Sequence, residues 1–371
     1  MKNVAIINAC NYGSTGKIGM NLNANLINRG YSSTFYYALG EKSNKDVEMK
    51  YQSYLEFCLH YGLAKITDKR GAYSRFATYR LLRRLKKTAV DTIFILNTHD
   101  FCICEDMLYK YVQKNNVNLI NLLIDNTPYT PRNEFDRKQK LKHYQDTKNL
   151  LFLSPQYGID SAKKTEFAPY MNMVVLDEAI DLSFYKPQDA SDLRKKHNID
   201  TNQKIILCVA PMHNESKGAR YFLELAKRFE NNKDYVFIHI GNREPKSQNW
   251  PDNYIPIGFV KEDSDVAKYY SLADLFVFPS LLDMMSNTCI EALSCGTPLL
   301  VFNISGMPYL LDKTVGEVVE AGNVDAMCDV VSAMKPKNAE TIDICRKYAE
   351  SRYDNKKYVQ RIEEILSSNF G

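Results

Sequence analysis

Short β-branched apolar runs alternate with stretches of helical spacing twice along this chain, and a polar stretch separates the two series. The first series opens with "MKNVAIIN", a strand that runs into the Gly- and Ser-rich "CNYGSTGKIG" and then a helix over "MNLNANLINRG" closed by Gly30. Further strands are expected at "YSSTFYYAL", "DTIFILN", "VNLINLLI" and "NLLFLS". The pattern breaks at "DEAIDLSFYKPQDASDLRKKHNID" and restarts with "KIILCVAP", "YVFIHIG", "DLFVFPS" and "PLLVFN" as strands. Helical segments such as "GARYFLELAKRFE", "DVAKYYSLA" and "NTCIEALSC" lie between them. Strands alternating with helices specify parallel sheets with crossover connections, so the expected class is α/β with two Rossmann-like domains. A ligand of such sheets binds at the C-terminal ends of the strands, here in a cleft between two facing domains.

A length of 371 residues is long for one core and agrees with two domains. A net charge of +4 is too small to argue for nucleic acid. The nine cysteines are odd in number, scattered and mostly inside apolar runs, which suits a reducing cytosol. Cys102 and Cys104 have no second cysteine pair or histidine cluster to complete a metal site. The opening "MKNVAIINACNYG" lacks the continuous apolar stretch of a signal peptide, and no run approaches 18 apolar residues.

The stretch "DMMSNTCIEALSCGTP" (283–298) admits two readings. In one, Thr288 caps the helix and Glu291 reaches back to its amide as a capping box. In the other, a helix starting at Asn287 or Thr288 directly after a buried strand presents free amides and a positive dipole end to a diphosphate. Glu291, one turn in, could then accept from two sugar hydroxyls, while Asp283 addresses another part of the ligand.

The segment "FVFPSLLDMMSNTCIEALSCGTPLLVFNISGMPYLL" resembles the donor site of the large retaining glycosyltransferase family four, which has the GT-B fold. The resemblance is closest to the branch that makes bacterial exopolysaccharide and capsule. It implies that Asp283 contacts the transferred sugar, that Asn287, Thr288 and the preceding Ser286 hold the diphosphate, and that Glu291 holds the nucleotide ribose. "NYGSTGKIG" is similar to the first glycine loop of that family, where Gly13, Ser14, Thr15 and Gly16 approach the donor phosphate or the acceptor. "AIDLSFYKP" resembles its interdomain segment, with Asp181, Phe184 and Pro187 retained. "ESKGARYF" resembles its K-G element, so that Lys217 would neutralise the departing diphosphate. "FIHIGN" and "YIPIGFV" supply Gly241, Gly258 and Phe259 beside the base.

The departures from that pattern are Asp283 in place of the usual Glu, Met212 in place of an Arg, and "LLIDNTPY" without the usual His. Asp125, or His99 one strand earlier, would stand in for that histidine. "EDSDV" has the D-x-D spacing of metal-dependent transferases, but it stands before a helix, where aspartates cap. No metal and no cofactor are expected. "KITDKRGAYSRFATYRLLRRLKK" (65–87) carries nine Lys or Arg and one Asp among Tyr73, Phe76 and Tyr79. That composition suits either a solvated basic face or a helix lying on anionic lipid.

The expected organisation is a first domain over 1–180, a donor domain over 181–352 and a closing helix, 353–371, that packs back onto the first. The expected function is transfer of a sugar with retention, from a nucleotide-diphosphate sugar (UDP preferred) to a lipid-linked glycan acceptor in surface polysaccharide assembly, by a cytoplasmic enzyme peripheral to the membrane. The alternatives are a non-catalytic partner of another transferase, motivated by the missing Arg and His, and a nucleotide-sugar epimerase, for which no clear acid-base set is visible.

Overall fold

The computed structural model describes residues 2–43, 46–97, 102–241 and 250–368. The chain forms two compact units, Met1–Leu176 with Val359–Gly371, and Asp177–Tyr358. The boundary falls a few residues before the expected 180/181, because the incoming segment is tied to the second unit. Asp177 accepts from Arg352 at 2.7 Å, and Ile180 bridges to Asp354. Likewise 353–358 stay with the second unit, where the Tyr353 hydroxyl donates to the Leu310 carbonyl at 2.7 Å. From Val359 onward the closing helix joins the first unit, with Arg29 paired to Glu363 at 3.1 Å.

The first unit holds a seven-stranded parallel sheet: β1 (Asn3–Cys10), β2 (Ser32–Leu39), β3 (Glu48–Lys50), β4 (Thr92–Ile95), β5 (Asn118–Leu122), β6 (Leu150–Ser154) and β7 (Met173–Val175). Its strand order is β3-β2-β1-β4-β5-β6-β7. The near-continuous burial of β1, β2, β5 and β6 is what a sheet covered on both faces requires. Asn8 interrupts the apolar run of β1 yet is fully buried. Its side chain donates to Cys10 O at 2.8 Å and Thr15 Oγ1 at 3.2 Å and accepts from the Asn97 amide at 3.1 Å, tying β1 to β4.

The second unit repeats the plan with β8 (Lys204–Val209), β9 (Tyr235–Ile240), β10 (Tyr254–Gly258), β11 (Leu275–Phe278), β12 (Leu299–Phe302) and β13 (Gly316–Val319), ordered β10-β9-β8-β11-β12-β13. Pro256 is tolerated in β10 because that strand is at the edge. Helix Ala219–Arg228 follows β8 and buries Ala219, Phe222, Leu225 and Ala226, one stripe at helical spacing, against the core. In each sheet the chain builds outward to one edge and then returns to build the other way. The switch points lie between β1 and β4 and between β8 and β11, where such sheets leave a crevice beyond the strand ends.

Helix Tyr54–Thr67 of the first unit was not foreseen in the sequence. It opens on a complete capping box: the Glu56 amide donates to Ser53 Oγ and the Ser53 amide to Glu56 Oε2. Its buried residues are His60 and Ala64. Leu55, Leu59, Leu63 and Ile66 point the other way, with Ile66 83% exposed. Helix Arg75–Lys87 is tied to it by an Arg80–Glu56 ion pair at 2.5 Å and adds exposed Phe76 and Tyr79. The cysteines form no disulfide among the described residues; most are buried, but Cys58 on the first of these helices is exposed.

Candidate functional site

The site is built around the β8/β11 switch point. After β8 the chain turns through Glu215–Lys217 into Gly218, whose φ is +69°. A Cβ at Gly218 would lie 1.8 Å from the Pro279 carbonyl oxygen, so only glycine lets this turn rest on the end of β11. The Leu281 amide (2.7 Å) and the Ser280 hydroxyl (3.1 Å) both donate to Ser216 O and lock the two loops together. Lys217 Nζ consequently meets Asp283 Oδ2 at 2.5 Å and stands over the Phe278 ring, 5.8 Å from its centroid. A second close approach fixes the acid from the other side. The Gly306 amide donates to Asp283 O at 2.9 Å, and a Cβ at Gly306 would lie 1.7 Å from Met284 O.

Helix Asn287–Ser294 begins directly after this loop, with Ser286 at the N-cap and no side chain capping it. Its first backbone hydrogen bonds run from Cys289 and Ile290 to Ser286 O. The amides of Asn287 and Thr288 therefore stand at the positive end of the helix, upstream of the ladder. The Ser286 and Thr288 hydroxyls lie 2.9 Å apart. The capping-box reading of "TCIE" is thereby corrected, since Thr288 is inside the helix and Glu291 accepts a hydrogen bond from the buried Tyr270 hydroxyl at 2.8 Å.

Beneath the same helix start lies Glu178, on the segment that enters this unit. Its amide donates to Met285 Sδ at 3.2 Å, and the Asn287 side-chain amide near its carboxyl partly offsets the effect of burial. Part of the residue remains accessible, yet the carboxyl is packed among protein atoms. That burial, reinforced by Asp283 and Asp177 nearby, pushes its pKa up to about 8. A carboxyl that holds its proton near neutral pH, beside a Lys–Asp pair and an uncapped helix start, marks a polar site rather than a packing surface.

The family described as "Glycosyl transferases group 1" matches residues 203–334, the stretch that holds the switch point and this helix. That stretch is similar to the group 1 glycosyl transferases. Among curated proteins, a processive diacylglycerol alpha-glucosyltransferase of Acholeplasma laidlawii is 31% identical over 36% of this chain and 42% of that protein. A UDP-Gal:alpha-D-GlcNAc-diphosphoundecaprenol alpha-1,3-galactosyltransferase of Escherichia coli is 25% identical over 53% of each chain. The alignments thus span about half the length of these relatives. The fold is GT-B. Sucrose-phosphate synthase of Thermosynechococcus elongatus superposes with a TM-score of 0.76 at 14% identity, covering 99% of this chain and 98% of that one. Anabaena HepE in complex with UDP does so at 0.74 and 14%, covering 99% and 100%.

Other residues expected from the family-four resemblance fall in several places. Gly241 and Gly258 end β9 and β10 and share a hydrogen bond, Gly241 N to Gly258 O, at 3.0 Å, while Phe259 is 70% exposed. Gly13, Ser14, Thr15 and Gly16 are in the first unit and form the first turn of helix Gly13–Asn28 rather than a loop. Asp125 accepts from Asn97 Nδ2 and from the Thr127 amide, both at 2.8 Å, which is the bonding of a turn former. His99 lies outside the described residues. Asp181 caps its own turn through the Ser183 amide at 2.9 Å. Asp263 and Asp265 stand in the first turn of helix Asp263–Leu272. Among the described residues no group of three His, Cys, Asp or Glu could hold a metal ion.

Glu178 and Tyr270 were missed in the sequence. Tyr270 sits on the apolar face of its helix and reads as core. Glu178 falls in a polar stretch that reads as a linker, and its one signal is an acid where the resembled interdomain pattern has Asn.

Proposed function

We propose that this protein transfers a sugar, with retention, from a UDP-sugar to a lipid-linked glycan acceptor in surface polysaccharide assembly. The observation that carries the reading is the Lys217–Asp283 pair set beside the uncapped start of helix Asn287–Ser294. A diphosphate at that helix start would be met by the Asn287 and Thr288 amides and by Lys217, which together offset the charge that develops on the leaving group. Asp283, fixed by Gly306 and released in part from Lys217 as the diphosphate arrives, would orient the sugar. Glu291, held by Tyr270, would take the ribose. Lys217 and the helix amides do the work of a metal ion in this scheme, so chelation should leave transfer intact.

The activities of the relatives support the donor and acceptor classes. One names UDP-Gal with a diphosphoundecaprenol-linked sugar, another diacylglycerol, and the HepE structure holds UDP. A peripheral contact of residues 65–87 with anionic lipid is part of the proposal, as is a cytoplasmic location. It is supported by exposed Arg83, Lys86 and Lys87 on helix Arg75–Lys87 and by the outward Leu55, Leu59 and Ile66 of the helix beside it. No helix among the described residues is long and apolar enough to cross a membrane.

The test is a melting screen against UDP-, GDP- and ADP-sugars with Glu291→Ala alongside, followed by acceptor assays and NMR of the product. Stabilisation by UDP-sugars, lost in the variant, and an unchanged anomeric configuration are expected. An inverted centre would contradict retention. A second reading, a non-catalytic partner, is favoured by Met212, which packs against the core where the resembled pattern has a cation. Donor binding without turnover on any acceptor would select it.

A further inference from the structure

Two cations close the C-terminal ends of two helices in the second unit. Lys337 Nζ donates to the Ser271 carbonyl and to Thr297 Oγ1, both at 2.8 Å. Ser271 is in the last turn of helix Asp263–Leu272, and the Thr297 hydroxyl donates in turn to the Tyr270 carbonyl at 2.6 Å. Arg346, on helix Ala339–Arg352, donates through one terminal nitrogen to the Ser294 carbonyl at 3.0 Å and the Tyr185 carbonyl at 2.6 Å. Its other terminal nitrogen donates to the Leu182 carbonyl at 2.8 Å, and its Nε to Glu350 at 2.7 Å, which fixes the plane of the guanidinium. Ser294 is the last residue of helix Asn287–Ser294.

A cation is favourable where the last carbonyls of a helix have no partner within it and the dipole is negative. The two helices held in this way carry the two members of one hydrogen bond: Tyr270 is on the first, Glu291 is on the second, and the Tyr270 hydroxyl donates to Glu291 Oε2 at 2.8 Å. Lys337 is itself anchored, since its amide donates to Asp274 Oδ1 at 2.9 Å while Asp274 Oδ2 accepts from the Ile205 amide on β8 at 2.8 Å. The Lys337 ammonium is packed among protein atoms, and that burial, opposed by Asp274, pulls its pKa down to about 8. Keeping a charge there costs stability, and what it gives in return is one fixed arrangement of the groups it joins.

We propose that Lys337 and Arg346 are positioning residues of the donor site: by holding the C-terminal ends of the two helices they set Tyr270 against Glu291, and so the direction in which the Glu291 carboxylate meets the hydroxyls of a nucleotide ribose. Neither cation touches the ligand. The proposal rests on the donor-site reading above and adds to it the two groups that act through its acid.

The experiment is titration calorimetry of UDP with the whole protein, on wild type, Lys337→Met and Arg346→Lys, each also combined with Tyr270→Phe, with ligand-free melts of every variant. Methionine keeps the stem of the lysine without its charge. Lysine keeps the charge of Arg346 without the planar fork that reaches three carbonyls. Each single change is expected to raise Kd about fivefold in the wild-type background and less than about twofold once Tyr270→Phe has removed the hydroxyl, because residues acting through one contact do not add.

A merely structural role gives a different pattern: a lower melting temperature with affinity unchanged, or a loss of affinity of the same size in both backgrounds. Either result would overturn the proposal. The melts show which variants are folded at the temperature of the titration, and Arg346→Lys, the milder change, carries the test if Lys337→Met is not. Failure of UDP to bind the wild-type protein would overturn the donor reading, and with it this role for the two cations. UDP binding with equal losses in both backgrounds would overturn the role alone.

Discussion

The two sheets switch direction in the same way, but they furnish their switch points differently. Among the described residues between β1 and β4, Asn8 is bonded to Cys10 O, Thr15 and the Asn97 amide, and Asn97 in turn donates to Asp125. Between β8 and β11 stand a Lys–Asp pair, a carboxyl with no cation among the described residues and a helix start without a side-chain cap. A closed hydrogen-bond network holds two strands together and leaves little for a ligand to gain. Open amides and a cation held only by a partly accessible acid can be handed to a diphosphate. The same topology thus carries different side chains in the two units, and the charged groups named here stand in the second.

The largest test of this contrast uses two glycines with nearly the same backbone. Gly13 and Gly218 have φ of +70° and +69°, but a Cβ at Gly13 meets nothing within 4 Å whereas one at Gly218 meets Pro279 O at 1.8 Å. Gly13→Ala should cost about 1 kcal/mol, from strain alone. Gly218→Ala should cost on the order of 3 kcal/mol or more and abolish transfer, because the Lys217 loop must move. Thermal melts and initial rates check both. Equal costs would show that the Gly218–Pro279 contact is not what holds the site.

Next in size is Lys217→Ala, expected to lower kcat about 100-fold or more by removing a cation from the leaving group. Asn8→Leu, its counterpart in the first unit, should instead lower stability by about 2 kcal/mol through lost buried hydrogen bonds. Rates and melts measured together separate the two effects; a Lys217→Ala variant with full kcat would break the comparison.

Both sheets and most strands are legible in the sequence, because strands buried on two faces must be apolar runs and their period is hard to mistake. The edge strands β3, β7 and β13 are not. They have three or four residues each and too little burial to leave a pattern. Within the site, Asp283, Lys217 and Glu291 stand in recognisable spacing. Glu178 does not, because its neighbours Asp283 and Met285 lie more than a hundred residues away in the chain. Helix Tyr54–Thr67 escaped for a related reason: its apolar residues surround the axis, so no amphipathic face marks it.

Smaller effects sharpen the picture. Tyr270→Phe removes the hydroxyl that Glu291 accepts from, and it should weaken UDP binding several-fold, about 1 kcal/mol, with little change in kcat. Calorimetry settles it, and an unaltered Kd would detach Glu291 from the ligand. Smallest is a pair of serines at helix starts. Ser53→Ala, which breaks a complete capping box, should cost about 1 kcal/mol, whereas Ser286→Ala, whose side chain caps nothing, should cost about 0.5 kcal/mol or less in melts without ligand.

The outward side of helix Tyr54–Thr67 also carries an exposed thiol, Cys58, between Leu55 and Leu59, in a chain whose other cysteines are buried or half-buried. A dye that reacts with thiols and changes colour with polarity would attach there selectively in the wild-type protein. The molecule therefore comes with its own reporter, placed where a lipid surface would first be felt.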